Sequence, residues 1–480
     1  MNTSVVPWKR GADHVAAAQP GSSYLLAVPA DARARLARGW LWLGLVALIG
    51  SGLFSVLLVL SRTPGLNRLW PVADFFRVAL VVHVDLSVLV WFVALGGLLW
   101  SASGSPRGLR WGWAALGLCA TGTAAMTLAP FGGTGVAVMA NYIPMLTSPL
   151  FIGGLLLFGA GAALLVLRSL LTALPLGGAF DGAGALRFGL NAAAVSAAVA
   201  LLAFGGSYAE VPRSLDARAY YEILYWGGGH ALQFTWTLLM LVAWLWLASA
   251  CGARLPLSPR VALLMFALAL VSVFVTPYAY LAHDIASVEH RRLLTWAMRL
   301  GGGVAILPIG LAVVFGLHDR AQRPEAAGPL RAALLTSLLL FGAGGVIGIF
   351  IGGSDVRIPA HYHGCIVGVT LALMGLVYLL LPQLGYQAPR GRLALLQPWL
   401  YGGGQLLHIT GLVWSGGYGV QRKVAGAEQV LHSPGEIAGM GLMGLGGAIA
   451  IVGGLLFVVV VVRALRRPLA ARPGRATARR

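Results

Sequence analysis

The chain has 480 residues, 58% of them hydrophobic and only 10% charged, with a mean hydropathy of +0.81. A soluble domain of this length would carry far more charge, so the composition excludes one and points to a polytopic helical membrane protein. The formal net charge of +19 is not a nucleic-acid signal, because arginines gather at the ends of apolar runs and in the tail Arg463–Arg480, as the positive-inside rule requires.

Length and hydropathy predict about twelve spans, near 39–61, 75–100, 109–130, 147–172, 184–206, 220–250, 259–283, 293–317, 329–353, 360–382, 394–416 and 435–465. The first run, Trp40 to Leu60, is too long for a signal-peptide core and reads as a helix. Connections are short, so one membrane domain over 39–467 is expected, with a cytoplasmic segment at 1–38 and a basic cytoplasmic tail at 468–480. The Lys and Arg distribution, with Lys9, Arg10, Arg33, Arg35, Arg38, Arg107, Arg110, Arg254 and Arg260 on one side, puts both termini in the cytoplasm of a multi-pass protein of a bacterial inner membrane. Arg291, Arg292, Arg357, Arg422 and Lys423 then fall on the outer side, where excess positive charge calls for an anionic partner. The three cysteines, Cys119, Cys251 and Cys365, have no close spacing and make neither a disulfide framework nor a thiolate metal site.

Ionisable residues inside spans are expensive and mark function. His83 opens span two. His230 lies in span six after three glycines (WGGGH), which leave room for something bulky against the backbone. Glu222 is eight residues earlier, two turns along the same face. His283 ends span seven and is followed at once by Asp284. His361 and His363 open span ten in AHYHG. On a helix, residues two apart point about 200° from each other, so His361 and His363 cannot share a metal. They can each ligate a different centre on either side of the helix, and two haems flanking one helix fit that geometry. Interhelical hydrogen bonding by the same histidines is the plainer alternative.

With these residues in place, the chain resembles the catalytic subunit I of the haem-copper oxidase superfamily, which includes the nitric oxide reductases. The resemblance covers nearly the whole chain, and its most specific element is the His-x-His of span ten. It implies an all-α bundle of about twelve transmembrane helices with two haems, one low-spin and bis-His, one high-spin. It also implies one non-haem metal, iron or copper. In that pattern His361 is the axial ligand of the high-spin haem, while His83 and His363 hold the low-spin haem. His230 matches the helix-six ligand of the non-haem metal, and His283 the first of a helix-seven His-His pair. The segment GQLLHITGLVWSGGYGVQRKVAG resembles the family's helix-eleven region, which makes Arg422 and Lys423 candidates for haem propionates.

Departures from the pattern guide the functional expectation. Asp284 stands where the second helix-seven histidine would be, and a carboxylate suits iron at least as well as copper. Phe234 occupies the place of the helix-six tyrosine, which leaves Gln233 as the nearest polar group. Tyr278 and Tyr280 in span seven are possible replacements, Glu222 a proton-route residue, and Asp85 and Asp355 possible supporting groups. Reducing two NO molecules to N2O and water takes two electrons and two protons, with no need of a tyrosine. The expected activity is therefore oxidoreduction of a small gas, NO in preference to O2. The alternatives are an O2-reducing cytochrome c oxidase with an unusual copper ligand set, and a non-catalytic dihaem electron carrier. Expected partners are the bilayer, the gas, and a separate electron-donor subunit or a cytochrome c or cupredoxin, with no nucleic acid.

Overall fold

A computed structural model describes residues 23–66, 73–133, 135–177, 180–318, 324, 327–425 and 428–466. His14, Lys9, Arg10 and the tail at 468–480 lie outside them. The described chain forms twelve long helices: α1 Ala32–Arg62, α2 Phe76–Ser103, α3 Leu109–Gly132, α4 Pro149–Leu171, α5 Gly182–Glu210, α6 Ala217–Ala250, α7 Pro259–Ala282, α8 Val288–His318, α9 Gly328–Ile349, α10 Arg357–Leu380, α11 Arg392–Gly417 and α12 Pro434–Leu465. All except α11 are apolar and long enough to cross a membrane by composition. The expected spans match these helices closely, because a backbone that crosses hydrocarbon must satisfy its own hydrogen bonds and the helix does so within one segment.

Local signals start the helices. Asp31, Asp181, Asp216 and Ser258 each accept a backbone N–H of the first turn of α1, α5, α6 and α7, the role for which short polar side chains are favoured at an N-cap. Ser433 and Glu436 form a reciprocal capping box at α12. Pro149, Pro259 and Pro434 stand in the first turns of α4, α7 and α12, where no N–H is needed.

Burial separates the helices by role. The apolar windows of α6 and α10 are 83% buried, against 33–61% for the rest. The two helices that carry His230, His361 and His363 are therefore the central ones, and the others present one face to lipid. Around α6 and α10 the chain packs as neighbouring pairs, α3 with α4, α5 with α6, α9 with α10 and α11 with α12.

The tightest pair is built on glycine. A Cβ on Gly404 or Gly411 of α11 would overlap the backbone of Ala450 or Met443, and one on Gly446 or Gly453 of α12 would overlap the backbone of His408 or Tyr401. The glycines recur every seven residues, at 404 and 411 and at 439, 446 and 453. Small residues at that spacing let two membrane helices approach along a continuous seam.

Two features interrupt the helical pattern. Asp85–Val90, two residues after His83, winds as a π-helix within α2, a deviation frequent at functional positions. The connection from α3 to α4 contains a short hairpin, β1 Ala137–Val138 against antiparallel β2 Met145–Leu146, whose turn at 141–143 lies against α6.

Candidate haem and gas-reducing site

His361 and His363 leave α10 in different directions. His361 faces α9, with Nδ1 2.7 Å from the Gly344 carbonyl. Its ring occupies space left free by Gly348, where a Cβ would stand 2.6 Å from Nδ1. His363 faces α11, its ring centroid 5.1 Å from that of His408, with Nδ1 2.8 Å from the Pro359 carbonyl. His83 of α2 lies within electrostatic reach of both His363 and His408. Its Nδ1 is 3.0 Å from both the hydroxyl and the carbonyl of Ser51 on α1. His408 donates from Nδ1 to the Met443 carbonyl at 3.0 Å.

One device is common to these four imidazoles. A backbone carbonyl accepts a hydrogen bond from Nδ1–H, which fixes the tautomer and leaves the Nε2 lone pair for a ligand. Haem and metal ligands are commonly oriented in this way. The donor set thus fits two haem irons, one on His361 and one on the opposite side of α10 near His83 and His363. Gly348→Ala should push the His361 ring away from Gly344 and lower high-spin haem occupancy roughly tenfold, leaving the low-spin haem in place. A reduced-plus-CO difference spectrum measures the first, and the low-spin absorbance band the second.

A second cluster surrounds His230. Its Nδ1 lies 2.8 Å from the Trp226 carbonyl one turn back. The Tyr142 hydroxyl from the hairpin turn stands 2.9 Å from Nδ1 and 3.1 Å from Nε2. The three glycines before His230 do make room for bulk, and the bulk is aromatic side chains. Tyr280 covers Gly227, Phe204 covers Gly228 and Tyr142 covers Gly229, each where a Cβ would collide. The Tyr280 hydroxyl bonds Ser207 of α5 at 2.6 Å, and its ring meets His290 edge-on at 4.8 Å.

His290 is buried and interacts electrostatically with His230, His283 and Asp284. It thereby links the helix-six histidine to the α7–α8 turn. In that turn His283 caps α7 and the exposed Asp284 carboxylate accepts the Ala286 N–H at 2.8 Å. Among the described residues no three His, Cys, Asp or Glu side chains converge closely enough to hold a metal ion. The donors for a non-haem metal are near one another without forming a closed set.

The remaining candidates lie around these two clusters. Glu222 accepts from the backbone N–H of Asn141 at 3.1 Å and from its side-chain amide. Gln233 has its carbonyl oxygen buried without a partner. Asp85 is buried with both carboxylate oxygens unpartnered. Asp355 pairs with Arg357 at 2.5 Å, and that guanidinium holds its carboxyl below the usual carboxylate range.

Arg422 and Lys423 line an open cavity of about 380 Å³ together with Arg218, Arg291 and Glu222. Lys423 donates to the Met139 carbonyl at 2.6 Å. Burial, with Arg422 beside it, pushes its ammonium down to about 8. A cation held in that state gains from an anionic partner, the property wanted of a propionate site.

Reading the sequence alone passes over Tyr142, His290, His408 and Trp226. His408 and His290 had a signal, being histidines in or beside apolar runs. Trp226 had one too, four residues before His230 on the same face. Tyr142 had none, since only the folded hairpin brings it to α6.

The family described as "Cytochrome C and Quinol oxidase polypeptide I" matches residues 35–456. An uncharacterized protein of Rickettsia prowazekii (strain Madrid E) is 29% identical, over 88% of this chain and 95% of its own length. An uncharacterized protein of Aquifex aeolicus (strain VF5) is 29% identical, over 74% and 86%. The solved structure of a heme-copper terminal oxidase dimer superposes with a TM-score of 0.69 at 17% identity, over 92% of this chain and 85% of that one, a likeness of fold. With the family matching from α1 to α12, the chain belongs to the cytochrome c and quinol oxidase polypeptide I family, as a divergent haem-copper oxidase subunit I.

Proposed function

We propose that this protein reduces a small gas in a bacterial inner membrane, both termini cytoplasmic, and that the gas is NO, converted to N2O. The observation that carries the dihaem reading is the pair of imidazoles leaving α10 in two directions, each with Nδ1 tied to a carbonyl. His83 and His363 hold the low-spin haem that receives electrons from a separate donor subunit or soluble carrier, and His361 holds the high-spin haem. The haems supply electron transfer and gas binding. The chain's residues orient them, exclude water and bring protons.

NO is favoured by the donors around His290, two further imidazoles and the Asp284 carboxylate. This set is harder than three imidazoles and suits iron. The described part of α6 also places Phe234, not a phenol, one turn after His230. Ligation by His230, His283 and Asp284 is part of the proposal. Arg422 and Lys423 take haem propionates at the outer end.

Asp284→Ala should lower non-haem metal content by about tenfold or more while both haems stay. Unchanged metal would remove Asp284 from the ligand set. O2 reduction is the second reading, and one contact favours it: the Tyr142 hydroxyl at His230 supplies a phenol beside the site from outside α6.

A further inference from the structure

The hairpin between α3 and α4 reaches into the His230 cluster and is fastened there. Asn141, at its turn, gives its backbone N–H and side-chain amide to the Glu222 carboxylate of α6. The Lys423 ammonium, on the connection between α11 and α12, holds the Met139 carbonyl at 2.6 Å and the Asn141 side-chain carbonyl at 3.4 Å. Lys423 itself sits at φ +63°, a left-handed conformation uncommon for a residue with a Cβ. The residue between those anchors and the site is Tyr142. Its ring stands edge-on to Trp226 at 5.9 Å and tilted on His230 at 5.0 Å, in a space that only a glycine at 229 leaves open.

The His230 hydrogen bonds fix the direction of the contact. Nδ1–H is shared between the Trp226 carbonyl at 2.8 Å and the Tyr142 hydroxyl oxygen at 2.9 Å, an assignment that leaves the Nε2 lone pair for the metal.

We propose that Tyr142 is a positioning residue of the gas-reducing site: its hydroxyl sets the orientation of the His230 imidazole, and Glu222 and Lys423 hold the hairpin that carries it. The proposal rests on the reading of His230 as a ligand of the non-haem metal. It gives Glu222 and Lys423 a second task, since charges lining the outer cavity then govern the geometry of the metal site. The link runs from Lys423 through a hydrogen bond to Asn141, along the backbone to Tyr142 and through its hydroxyl to His230, with Glu222 fastening Asn141 to α6.

The test uses the purified complex with its haems. Tyr142→Phe keeps the ring and its packing and removes only the hydroxyl, and Glu222→Gln loosens the hairpin without touching His230. Non-haem metal and both haems are counted in each protein. The infrared stretch of carbon monoxide is then recorded on the high-spin haem and after photolysis toward the non-haem metal. We expect Tyr142→Phe to keep both haems, to shift or broaden the carbon monoxide band, and to slow gas reduction roughly tenfold, the loss of one hydrogen bond. Glu222→Gln should shift the band in the same sense by less. A wild-type protein that holds its metal, with an unchanged band and rate within twofold in Tyr142→Phe, overturns the positioning role alone. A wild-type protein without non-haem metal overturns the reading beneath it as well.

Discussion

His363→Ala should abolish the low-spin haem and leave the high-spin haem, while His361→Ala should do the reverse. The expectation follows from the helix itself. Two residues apart on α10, the side chains diverge, and the structure gives each ring its own surroundings: Gly344 and Gly348 of α9 around His361, and His408 of α11 with His83 of α2 near His363. Removing one imidazole leaves the hydrogen bond that orients the other.

The readout is paired. Reduced-minus-oxidised spectra report the low-spin centre, and carbon monoxide binding reports the high-spin one. Loss of both haems in each variant would mean that the histidines serve folding. His408 offers a refinement, because its Nδ1 is tied down as in the ligands. If it took over ligation, His363→Ala would retain a low-spin haem that His363→Ala with His408→Ala lacks.

Gly411→Val should be the most damaging single change away from the haems. A Cβ at 411 already overlaps the backbone of Met443 and stands 2.5 Å from the Gly439 carbonyl. Two branches more must push α11 and α12 apart along the seam. Overpacking a tight contact typically costs about 1–3 kcal/mol, and here the strained atoms are backbone, which cannot move aside as a flexible side chain can. The seam also aligns Met443, whose carbonyl takes the His408 proton, so the damage should reach the His363 side of α10. Gly403→Val is the control, since nothing stands within 4 Å of a Cβ there. Thermal stability of the purified complex should fall for the first variant and change little for the second. Equal melting would mean that the seam tolerates separation.

The helices were legible because hydrocarbon imposes one rule on every crossing, and a run of about 20 apolar residues states it openly. The span expected at 394–416 from length and hydropathy is also a helix, α11, although its composition falls short of the other crossings. The opposed directions of His361 and His363 were readable for a similar reason, since helical geometry converts a spacing of two into divergence. The carbonyl partners of His361, His83 and His408 were not. The carbonyls of Gly344, Ser51 and Met443 are 17, 32 and 35 residues away in sequence, and backbone atoms carry no sequence signature.

WGGGH shows the same limit from the other side. The need for space was evident in the glycines, but Tyr142, Phe204 and Tyr280 come from three different elements, and only packing selects them. The π-turn at Asp85–Val90 likewise has no local marker, because the residues there are ordinary helix formers.

The pairing of His283 with Asp284 was legible as a departure from the family's two histidines. Its surroundings were not, because they depend on His290 of the next helix, which lies buried between the turn and α6.

Iron and copper per chain, measured on the purified complex and set against haem content, tests the central claim most directly. Three irons, of which two are haem, with no copper, is the result the account predicts for an NO-reducing enzyme. Two haem irons with one copper would contradict it in favour of O2 reduction, and two haem irons with no further metal would leave an electron carrier in place of a gas-reducing enzyme.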